Sequence, residues 1–270
     1  MAYQTVDLLP GQDFGIVYDF DEHPQDIVFR LHYHADIYEV LLLLQGDCVF
    51  HVEGNSYPLH PSDIVVACPL EFHKMAHLSD HPYERVILYF KRDFFIRHDC
   101  ERFLSVFEQR PLGTGNLISA ESSHFKKELV DSFHRLLNYA SHREYMVADH
   151  GMVEFLYWLN MAASGSVSVS VADSRIHKVV LYINNHLVEP LVLDLLATEF
   201  GFSKYYLCKL FKENTGLTIQ QYITQKRLLL ADSLHVQGQN WLSASLDAGF
   251  HDYSVFYRAY RKNYGTSPRG

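Results

Sequence analysis

The sequence contains no run approaching the roughly 18 consecutive apolar residues that a membrane-spanning helix needs, so an integral membrane protein is not expected. Its first residues, MAYQTVDLLPG, show no basic segment followed by an apolar one, which argues against a secretory signal. Cysteine is scarce, and Cys48, Cys68, Cys100 and Cys208 form no C-x-x-C pair. This scatter excludes a disulfide framework and a cysteine zinc site, and it is typical of a reducing compartment. A cytoplasmic protein is therefore expected.

The composition is that of a globular protein with unevenly distributed charge. Hydrophobic residues make up 48% of the 270 residues and charged residues 20%, which excludes wholesale disorder, and the length favours two domains. Residues 1–170 carry 12 Lys and Arg against 24 Asp and Glu, whereas residues 171–270 carry 11 against 8. Although the net charge is −9, the C-terminal part is positive, which favours an anionic partner there.

Short segments rich in β-branched and aromatic residues fill the first hundred residues. Turn residues such as Gly46-Asp47 and Pro61-Ser62-Asp63 separate them. This regular spacing predicts an antiparallel barrel or sandwich. The predicted strands are 15–18, 28–32, 38–45, 48–52, 64–68 and 85–90.

Helical periodicity begins near residue 120. Segments 122–140 and 145–163 each carry an apolar stripe, and their short connection favours an antiparallel pair. Two alternatives stay open: the pair packs on the barrel, or one helix forms a dimer surface. Residues 164–170 are small and polar and indicate a linker, although their Val/Ser alternation also suits an edge strand.

These patterns predict an α+β multidomain chain. Its parts are an antiparallel β-barrel in residues 1–118, a helical pair in 119–163, a linker in 164–173 and an all-α C-terminal domain in 174–270. The predicted helices of the C-terminal domain are 176–186, 193–199, 203–214, 219–234, 242–247 and 253–263.

The C-terminal domain contains an internal duplication. Segments 201–216 and 249–265 both begin with Gly-Phe and run through similar basic-aromatic stretches, F-K-E-N and Y-R-K-N, to a glycine. Each copy predicts a short helix, a glycine-containing turn and a second helix, which is the layout of a helix-turn-helix whose second helix enters the DNA major groove. The alternative is a pair of helical hairpins in an ordinary bundle. The duplication, the local positive charge and the long connector 219–234 favour DNA binding.

The apolar pattern assigns a buried face to the second helix of each copy. Leu207, Leu210 and Phe211 are the predicted inward residues of the first copy, and Val255, Phe256 and Tyr260 are those of the second. The residues left for the DNA-facing sides are Lys204, Tyr205, Cys208, Lys209 and Lys212 in the first copy and Tyr253, Ser254, Tyr257, Arg258 and Arg261 in the second.

These stretches carry a family resemblance. The runs ATEFGFSKYYLCKLFKENTGLT (197–218), YITQKRLLLA (222–231) and DAGFHDYSVFYRAYRKNYGTSP (247–268) resemble the first motif, the central segment and the second motif of the AraC/XylS family of transcription regulators. The resemblance implies that Lys212 and Arg261 contact phosphate and that Ser203 and Lys204 belong to the DNA-binding set. The base-reading residues that it implies are Tyr205, Cys208, Lys209, Tyr253, Ser254, Tyr257 and Arg258.

Two features depart from the family pattern. The first helix of the second copy reads WLSASLDA (241–248), where the family usually has an isoleucine and alanine pattern. The sequence also stops at Gly270, whereas the family usually continues into a short closing helix. A less stable or more weakly binding second motif is therefore expected. Since cysteine is a poor base reader, specificity in the first copy is expected to rest on Lys209 and Tyr205.

Histidines are frequent in the N-terminal part, and some follow a spacing pattern. His32, His34, Glu39 and Gly46 form H-x-H-x4-E-x6-G, and His73 follows a later strand, which resembles the cupin signature. Cupins are small β-barrels, in agreement with the predicted strands. Departures are Asp26 and Ser62, which stand where cupins often have glycine.

The cupin resemblance implies a candidate metal site at His32, His34, Glu39 and His73. Imidazoles with one carboxylate suit Fe(II), Mn(II), Ni(II) or Zn(II). The alternatives are that these residues line a ligand pocket or are remnants of an ancestral metal site, in which case no cofactor is required. Tyr38 joins the candidate ligand-binding residues, because aromatic walls with a few polar groups suit a small molecule.

The resulting hypothesis is a ligand-responsive, sequence-specific regulator that binds double-stranded DNA and is not an enzyme. Such regulation requires that the ligand interact differently with two arrangements of the domains. The family layout implies a sugar effector, activation of transcription, contact with RNA polymerase and a homodimer. Two alternatives are a metal-dependent cupin enzyme fused to a DNA-binding module, and a constitutive DNA-binding protein whose barrel serves only dimerisation.

Overall fold

The computed structural model describes residues 2–3, 8, 13–24, 31–119, 125–164 and 174–268. The chain divides into two compact units, Ala2–Val171 and Ala172–Gly270. The predicted linker 164–173 lies outside the described residues except for Ser164, and so do residues 28–30 of one predicted strand. Within the described ranges, no helix is long and apolar enough to cross a bilayer.

The described strands of the N-terminal unit form two five-stranded sheets, in the orders β1-β3-β8-β5-β6 and β10-β7-β4-β9-β2. The predicted antiparallel architecture is confirmed, with one parallel pair between β1 and β3. The strands are β1 Ala2–Tyr3, β2 Phe14–Asp21, β3 His32–Tyr33, β4 Ile37–Gln45, β5 Cys48–Val52, β6 Asn55–Leu59, β7 Ile64–Ala67, β8 His73–His77, β9 Tyr83–Lys91 and β10 Leu117–Ile118.

Strand β4 lies at the centre of the second sheet and is buried on both faces. Alternate residues of a strand face opposite sides. Leu41 and Leu43 pack with Phe50 of the first sheet, whereas Val40 and Leu42 pack in a second core with the helices of the unit. This double burial explains the unbroken apolar run VLLLL in the sequence.

The helices of the N-terminal unit cover the other face of the second sheet. They are α1 Arg92–Arg97, a 3-10 helix Glu101–Leu104, α2 Ser105–Glu108, α3 Lys126–Ser141 and α4 Tyr145–Ala163. Phe133 of α3 and Phe155 of α4 meet edge to face with ring centroids 5.3 Å apart, in one core with Phe90 of β9. The helical pair therefore packs on the sheet, as one of the two predicted alternatives has it.

The C-terminal unit is helical throughout its described secondary structure. Its helices are α5 Ser174–Asn185, α6 Leu193–Glu199, α7 Lys204–Thr215, α8 Ile219–Val236, α9 Trp241–Asp247 and α10 Tyr253–Tyr264. The long helix α8 begins with a capping box, in which Thr218 and Gln221 exchange side-chain and backbone hydrogen bonds. The predicted all-α domain with two helix-turn-helix motifs is confirmed.

The predicted core faces of α7 and α10 need correction. The prediction that Val255 faces inward is wrong, since this side chain is 38% exposed. Because α10 begins at Tyr253, Phe256 occupies the position that faces the core and is fully buried. Tyr253, predicted to face outward, is half-buried and packs against Phe256 with ring centroids 5.6 Å apart. Leu210, predicted inward, is only half-buried.

Candidate functional sites

The first helix-turn-helix consists of α6, a turn at Gly201 and α7. Leu207 and Phe211 are fully buried, and the Phe211 ring meets Tyr222 of α8 at 5.6 Å between centroids. This packing determines which side of α7 is exposed to solvent. Tyr205 is 81% exposed there, and Lys209 and Lys212 are also exposed, whereas Cys208 is half-buried.

Some predicted DNA-binding residues of the first motif have partners within the unit. The Ser203 side chain accepts a hydrogen bond from the Tyr206 backbone N–H and so serves as the N-cap of α7. The Lys204 ammonium lies 2.9 Å from the carboxylate of Asp194. These contacts pair some of the polar groups on this surface and leave Tyr205 and Lys212 as its most prominent donors.

The second helix-turn-helix consists of α9, a turn at Gly249 and α10. Ser254, Arg258 and Arg261 are exposed on α10, and Tyr257 is half-buried. A surface recess of about 350 Å³ is lined by Tyr257, Arg258, Arg261, Lys262 and Gly265. Three cations around one recess provide a strong attraction for phosphate.

Sequence reasoning missed Lys262 of this recess. In the alignment of the two copies, Lys262 takes the place of Glu213, whose carboxylate lies 3.9 Å from the Lys209 ammonium. The sequence does show this difference, because the side-chain charge is negative at Glu213 and positive at the equivalent Lys262. The second helix of the second motif therefore carries more positive charge around this recess, while the expected weaker binding of the second motif stays a prediction.

The N-terminal unit brings together His32, His34, Glu39 and His73, and we call this group the four-donor cluster. One ligand atom from each residue lies within 4.8 Å of all the others. Antiparallel pairing of β3 with β8 places His32 opposite His73, and β4 supplies Glu39 from the facing sheet. His34, Glu39 and His73 are buried, and His32 is partly exposed.

Hydrogen bonds orient the side chains of the cluster. The Nε2 atoms of His34 and His73 lie 2.9 Å and 3.3 Å from Oε2 of Glu39. Nδ1 of His73 lies 2.9 Å from the backbone carbonyl oxygen of Glu71. Because a carbonyl only accepts, Nδ1 carries the proton, and in the neutral ring the Nε2 lone pair faces the carboxylate. A cation between these two acceptors satisfies both, so the donor set fits a divalent transition metal.

The pKa shifts in the cluster also favour a cation at this site. Burial alone raises the pKa of the Glu39 carboxyl, but His73 and His34 outweigh it and hold that pKa well below its usual range. On His73, burial lowers the pKa, but the neighbouring Glu39 carboxylate raises it above its ordinary value. The site therefore favours positive charge beside Glu39, which a proton or a metal ion supplies.

Tyr38 does not belong with the four-donor cluster, so its predicted place in the same pocket is wrong. It precedes Glu39 in β4 and faces the opposite side of the sheet. Its ring lies 5.2 Å from that of Phe107, and its hydroxyl donates to Glu108 at 2.5 Å and accepts from Arg92 at 2.9 Å. Tyr38 therefore links β4 to α1 and α2 through hydrogen bonds.

Comparison with known proteins identifies both parts of the chain. A helix-turn-helix domain model matches residues 196–270, and an AraC-like ligand binding domain model matches residues 14–145. The regulatory protein SoxS of Escherichia coli strain K12 is 32% identical over 94 residues, which make up 34% of this chain and 88% of SoxS.

Two further comparisons concern a longer relative and a solved structure. The right origin-binding protein of Escherichia coli strain K12 is 33% identical over 94 residues, 34% of this chain and 32% of that protein. The structure of ToxT from Vibrio cholerae O395 aligns with 95% of this chain and 97% of its own, with 15% identity and a TM-score of 0.41.

The two matched domains agree with the two units described above. The C-terminal match begins within α6 and contains the rest of the first helix-turn-helix motif and the whole second one, and the N-terminal match contains the four-donor cluster. The match to SoxS spans 88% of that protein at 32% identity, and this similarity identifies the family. The chain belongs to the AraC family of DNA-binding transcription regulators, and it combines an AraC-like ligand-binding domain with a helix-turn-helix DNA-binding domain.

Proposed function

We propose that the chain recognises specific DNA sequences by placing α7 and α10 in adjacent segments of the major groove. The observation that carries this proposal is repetition: both helices bury one aromatic face and present a basic outer face. They flank α8, which has 18 residues and is therefore about 27 Å long. This length is comparable with the roughly 34 Å between successive major-groove segments on one side of a duplex, so α8 is long enough to hold the two helices at adjacent segments.

The exposed side chains divide into two roles in this proposal. Lys209 and Arg258 lie at equivalent positions and are long enough to reach base edges, where Arg pairs best with guanine. Lys212 and Arg261 lie one helical turn later and contact phosphates. Tyr205, Cys208, Ser254 and Tyr257 complete the base-facing surface, while Ser203 and Lys204 hold the start of α7 near the backbone of the duplex.

The test is retention of sheared genomic DNA by the full-length protein at moderate salt, followed by sequencing of the retained fragments. We expect enrichment of a few promoter-proximal sites. On an enriched site, Arg258→Ala should weaken specific binding by about 1–3 kcal/mol and relax the sequence preference at one base pair. Lys212→Ala should weaken binding to all sequences and reduce the logarithmic salt dependence by about one unit.

A charge-matched control separates groove contacts from net charge. Lys127 is exposed on α3 in the N-terminal unit, so Lys127→Ala removes one cation outside the proposed interface. It should change neither the specificity nor the salt dependence. Equal small effects of all three substitutions, or no enriched site with the fold intact, would contradict the assignment of α7 and α10 to the groove.

The regulatory part of the proposal concerns control by a small molecule. A sugar effector, activation and contact with RNA polymerase follow from the family and are proposed on that ground. Promoter fusions in cells with and without the gene give the sign of regulation: higher expression with the gene supports activation, and lower expression contradicts it. Transcription from the same promoter with purified RNA polymerase, with and without the purified regulator, tests whether these two proteins are sufficient for the change in transcription.

A homodimer through α4 is proposed from the apolar residues on its outer side. Met146, Tyr157 and Met161 are exposed large side chains at positions separated by whole helical turns. Sedimentation of the full-length protein should show a dimer, and Met161→Glu should shift it toward monomer. A monomer at micromolar concentration with the wild-type sequence would contradict this part of the proposal.

The four-donor cluster is proposed to hold one divalent transition metal. His32, His34, Glu39 and His73 would be its protein ligands, and the ion would supply structural or sensory binding in the N-terminal unit. The hydrogen bond from His73 to the Glu71 carbonyl orients one ligand ring. Metal analysis of untagged protein after gentle purification should give about one equivalent of Fe, Mn, Ni or Zn. Absence of all four metals would contradict occupancy of the cluster.

A further inference from the structure

One buried carboxylate joins the segment before β8 to the loop before β10. Glu71 lies in residues 68–72, which connect β7 to β8, and it is buried. Both terminal nitrogens of Arg110 donate to its carboxylate, at 2.8 Å and 2.5 Å, and only 8% of the Arg110 side chain is exposed. Arg110 belongs to residues 109–116, which connect α2 to β10 and which we call the anchor loop.

Three further donors bind the same carboxylate. The backbone N–H of Gly113 donates to Oε1 at 3.0 Å, and the backbone N–H of Cys68 donates to Oε2 at 2.9 Å. The amide nitrogen of Asn116 donates to Oε2 at 3.2 Å. These contacts bring five N–H groups to one buried charge, and four of the five come from the anchor loop. Hydrogen bonds to an ionised group are stronger than neutral ones, so the Glu71 side chain is firmly held.

The backbone around Glu71 contacts two members of the four-donor cluster. Nδ1 of His73 donates to the carbonyl oxygen of Glu71 at 2.9 Å. The N–H of Leu70 donates to the carbonyl oxygen of His34 at 2.8 Å. Glu71 is therefore bound to the anchor loop by its side chain, and the backbone beside it is bound to two candidate ligand residues.

This backbone adopts an unfavourable conformation at Leu70. Its φ angle of 65° lies in the left-handed region, which is uncommon for leucine. A residue keeps such an angle only where the surrounding contacts enforce it, and such residues are frequent at functional sites. The ion pair between Glu71 and Arg110 supplies such contacts one residue away.

The anchor loop is itself bound to both sheets. The carbonyl oxygen of Gly113 accepts hydrogen bonds from the Asn55 amide at 2.7 Å and from the Tyr57 hydroxyl at 3.0 Å, and both donors belong to β6 of the first sheet. The amide nitrogen of Asn116 also donates to the carbonyl oxygen of Val66 in β7 of the second sheet, at 2.8 Å. The loop is therefore a fixed support against which the Glu71 carboxylate is held.

We propose that Arg110 is a positioning residue for the four-donor cluster, because its ion pair with Glu71 fixes the backbone that orients the His73 ring. The inference rests on the proposed function of the cluster as a metal site, and it adds a residue that lies outside the donor set. A buried ion pair contributes little net stability, since the cost of desolvation offsets the attraction between the charges. Its benefit here is geometric, because the planar fork of a guanidinium fixes both the position and the rotation of a carboxylate.

An oriented ligand ring binds a metal ion more tightly than a mobile one. The His73 ring loses its rotational freedom when the protein folds, so this loss does not oppose binding of the ion. Hydrogen-bond partners behind metal ligands commonly account for about 10–100-fold in metal affinity. The partner of His73 is the Glu71 carbonyl, and the contact between Arg110 and the Glu71 side chain keeps that carbonyl in place.

The first test compares the Zn(II) affinity of the full-length wild-type protein with that of Arg110→Lys, by competition with a chromophoric chelator. Lysine keeps the charge but lacks the fork, so we expect Zn(II) to bind at least about tenfold more weakly. Arg92→Lys is the control, because Arg92 binds Glu108 and Tyr38 on the other side of the second sheet, and it should leave the affinity unchanged. A lower melting temperature of Arg110→Lys with unchanged Zn(II) affinity would show a merely structural role and overturn the proposal.

Histidine NMR of the zinc-loaded proteins gives a second readout that follows the ring itself. The Nδ1 proton of His73, which is bonded to the Glu71 carbonyl, should exchange with water about tenfold faster in Arg110→Lys than in the wild type. In Arg92→Lys, this exchange rate should equal that of the wild type. Equal rates in all three proteins would contradict the positioning role.

A measurement on the wild type alone covers the case in which Arg110→Lys fails to fold. Coupling between two sites is reciprocal, so a contact that strengthens binding of the ion must itself be stabilised by the ion. Saturating Zn(II) should therefore slow hydrogen exchange of the Gly113 amide, which donates to Glu71, about tenfold more than it slows exchange of the amides of α3 in the same unit. Equal slowing of the Gly113 and α3 amides would overturn the proposal.

The wild-type protein separates failure of this inference from failure of the proposed metal site. If it binds none of Zn, Fe, Mn and Ni, both are wrong. If it binds Zn(II) and Arg110→Lys binds it equally well, only the positioning role is wrong. His32→Asn removes a ligand of the cluster and should weaken Zn(II) binding. Unchanged binding in His32→Asn would show that the measured ion lies elsewhere and would overturn both.

Discussion

The two helix-turn-helix motifs begin and end their second helices in the same way. Ser203 caps α7 and Asp252 caps α10, each with a side chain that accepts a backbone N–H three residues later. Each helix ends at a glycine in the left-handed region, Gly216 with φ 76° and Gly265 with φ 75°. The duplication in the sequence is therefore also a duplication of the signals that start and stop a helix.

The motifs differ at the glycine of the turn between their two helices. Gly201 has φ 68°, and a Cβ atom there would meet no atom within 4 Å. Gly249 has φ 90°, and a Cβ atom there would lie 2.7 Å from the Cα atom of Val188 and 2.9 Å from the carbonyl oxygen of Leu187. The first turn thus needs glycine for its backbone angle alone, whereas the second also needs it for close contact with the segment after α5.

The second helices are also held by different contacts. In the first motif, Phe211 packs on Tyr222, whose hydroxyl accepts a hydrogen bond from Asn184 at 2.7 Å. In the second, the hydroxyl of Tyr264 donates to the carboxylate of Asp232 on α8 at 2.5 Å. A neutral hydrogen bond therefore serves one copy and a charged one serves the other. The two copies of the repeat are thus held to α8 by different kinds of contact.

The largest predicted difference between the motifs is at the turn glycines. Gly249→Ala should destabilise the C-terminal unit by about 3 kcal/mol or more, because the left-handed angle and the overlap with backbone atoms both act against alanine. Gly201→Ala should cost about 1 kcal/mol, from the angle alone. Urea unfolding of the full-length protein, monitored by hydrogen exchange in α6–α10, measures both. Equal losses would show that the second turn can move away from Leu187 and Val188.

The next difference concerns two tyrosine hydroxyls near the second helices: Tyr264 lies in α10 itself, whereas Tyr222 lies in α8 and its ring packs against Phe211 of α7. Tyr264→Phe takes a hydrogen bond from the half-buried carboxylate of Asp232 and should cost about 1.5–3 kcal/mol, whereas Tyr222→Phe removes a neutral bond and should cost about 1 kcal/mol. Protection of α10 and of α7 against hydrogen exchange reports the two losses separately. The comparison between the copies fails if Tyr222→Phe is the more damaging substitution.

The contact between Tyr264 and Asp232 makes the stability of the second motif depend on pH. Burial raises the pKa of Asp232, while the Tyr264 hydroxyl and His235 act to lower it. Since the folded-state pKa lies above the unfolded value, ionisation of this carboxyl destabilises the fold at neutral pH, and this cost disappears as the pH falls through the folded pKa. Acidification should therefore stabilise α10 more in the wild type than in Asp232→Asn. Parallel pH profiles of the two proteins would contradict this.

The smallest predicted effects are at the N-caps. Ser203→Ala should cost about 1 kcal/mol through loss of one hydrogen bond to the start of α7. Asp252→Ala should cost more than Ser203→Ala, because the aspartate also places a negative charge at the positive end of the α10 dipole. Backbone N–H groups at that end, chiefly that of Val255, lower the pKa of Asp252. Thermal unfolding of both variants at low and high salt measures the difference, which salt should reduce.

The sequence predicted the C-terminal unit closely because its helices carry both a period and end signals. The predicted bounds 193–199 agree with α6, and both second helices start within one residue of the prediction. The error at Val255 arose where two apolar residues stand side by side, since a position on the helix and not hydrophobicity decides which one is buried. In the sequence alone, Val255 and Phe256 are equally apolar candidates.

The N-terminal unit was less predictable because several of its elements lack a local signal. β6 contains a proline, which its place at the edge of the sheet tolerates, and β8 has no β-branched residue. α1 and α2 have only six and four residues, too few to show a helical period. A cavity of about 280 Å³ lined by α2, β10 and the end of α4 combines residues from segments far apart in the chain, and no spacing pattern marks it.

By contrast, the cupin resemblance grouped the four donors correctly, and the structure shows that strand pairing is what brings distant members of the group together. His32 and His73 lie 41 positions apart, yet β3 and β8 pair at these two residues. Tyr38 was placed wrongly because an aromatic residue suits a pocket wall whichever way it faces, and as the neighbour of Glu39 in β4 it faces the opposite side of the sheet. Ser62, noted as a departure from glycine, has φ 77°, which explains why cupins often have glycine at that position.

The parallel pairing of β1 with β3 has a practical consequence for biochemical work on this protein. Ala2 and Tyr3 pair with His32 and Tyr33, so the first residues of the chain run alongside the strand that carries a donor of the cluster. A polyhistidine purification tag fused ahead of Ala2 would bring foreign imidazoles near His32, and these would compete for the same ions. Metal content measured on such a fusion would reflect the tag as well as the protein, and an enzymatically removable tag avoids this artefact.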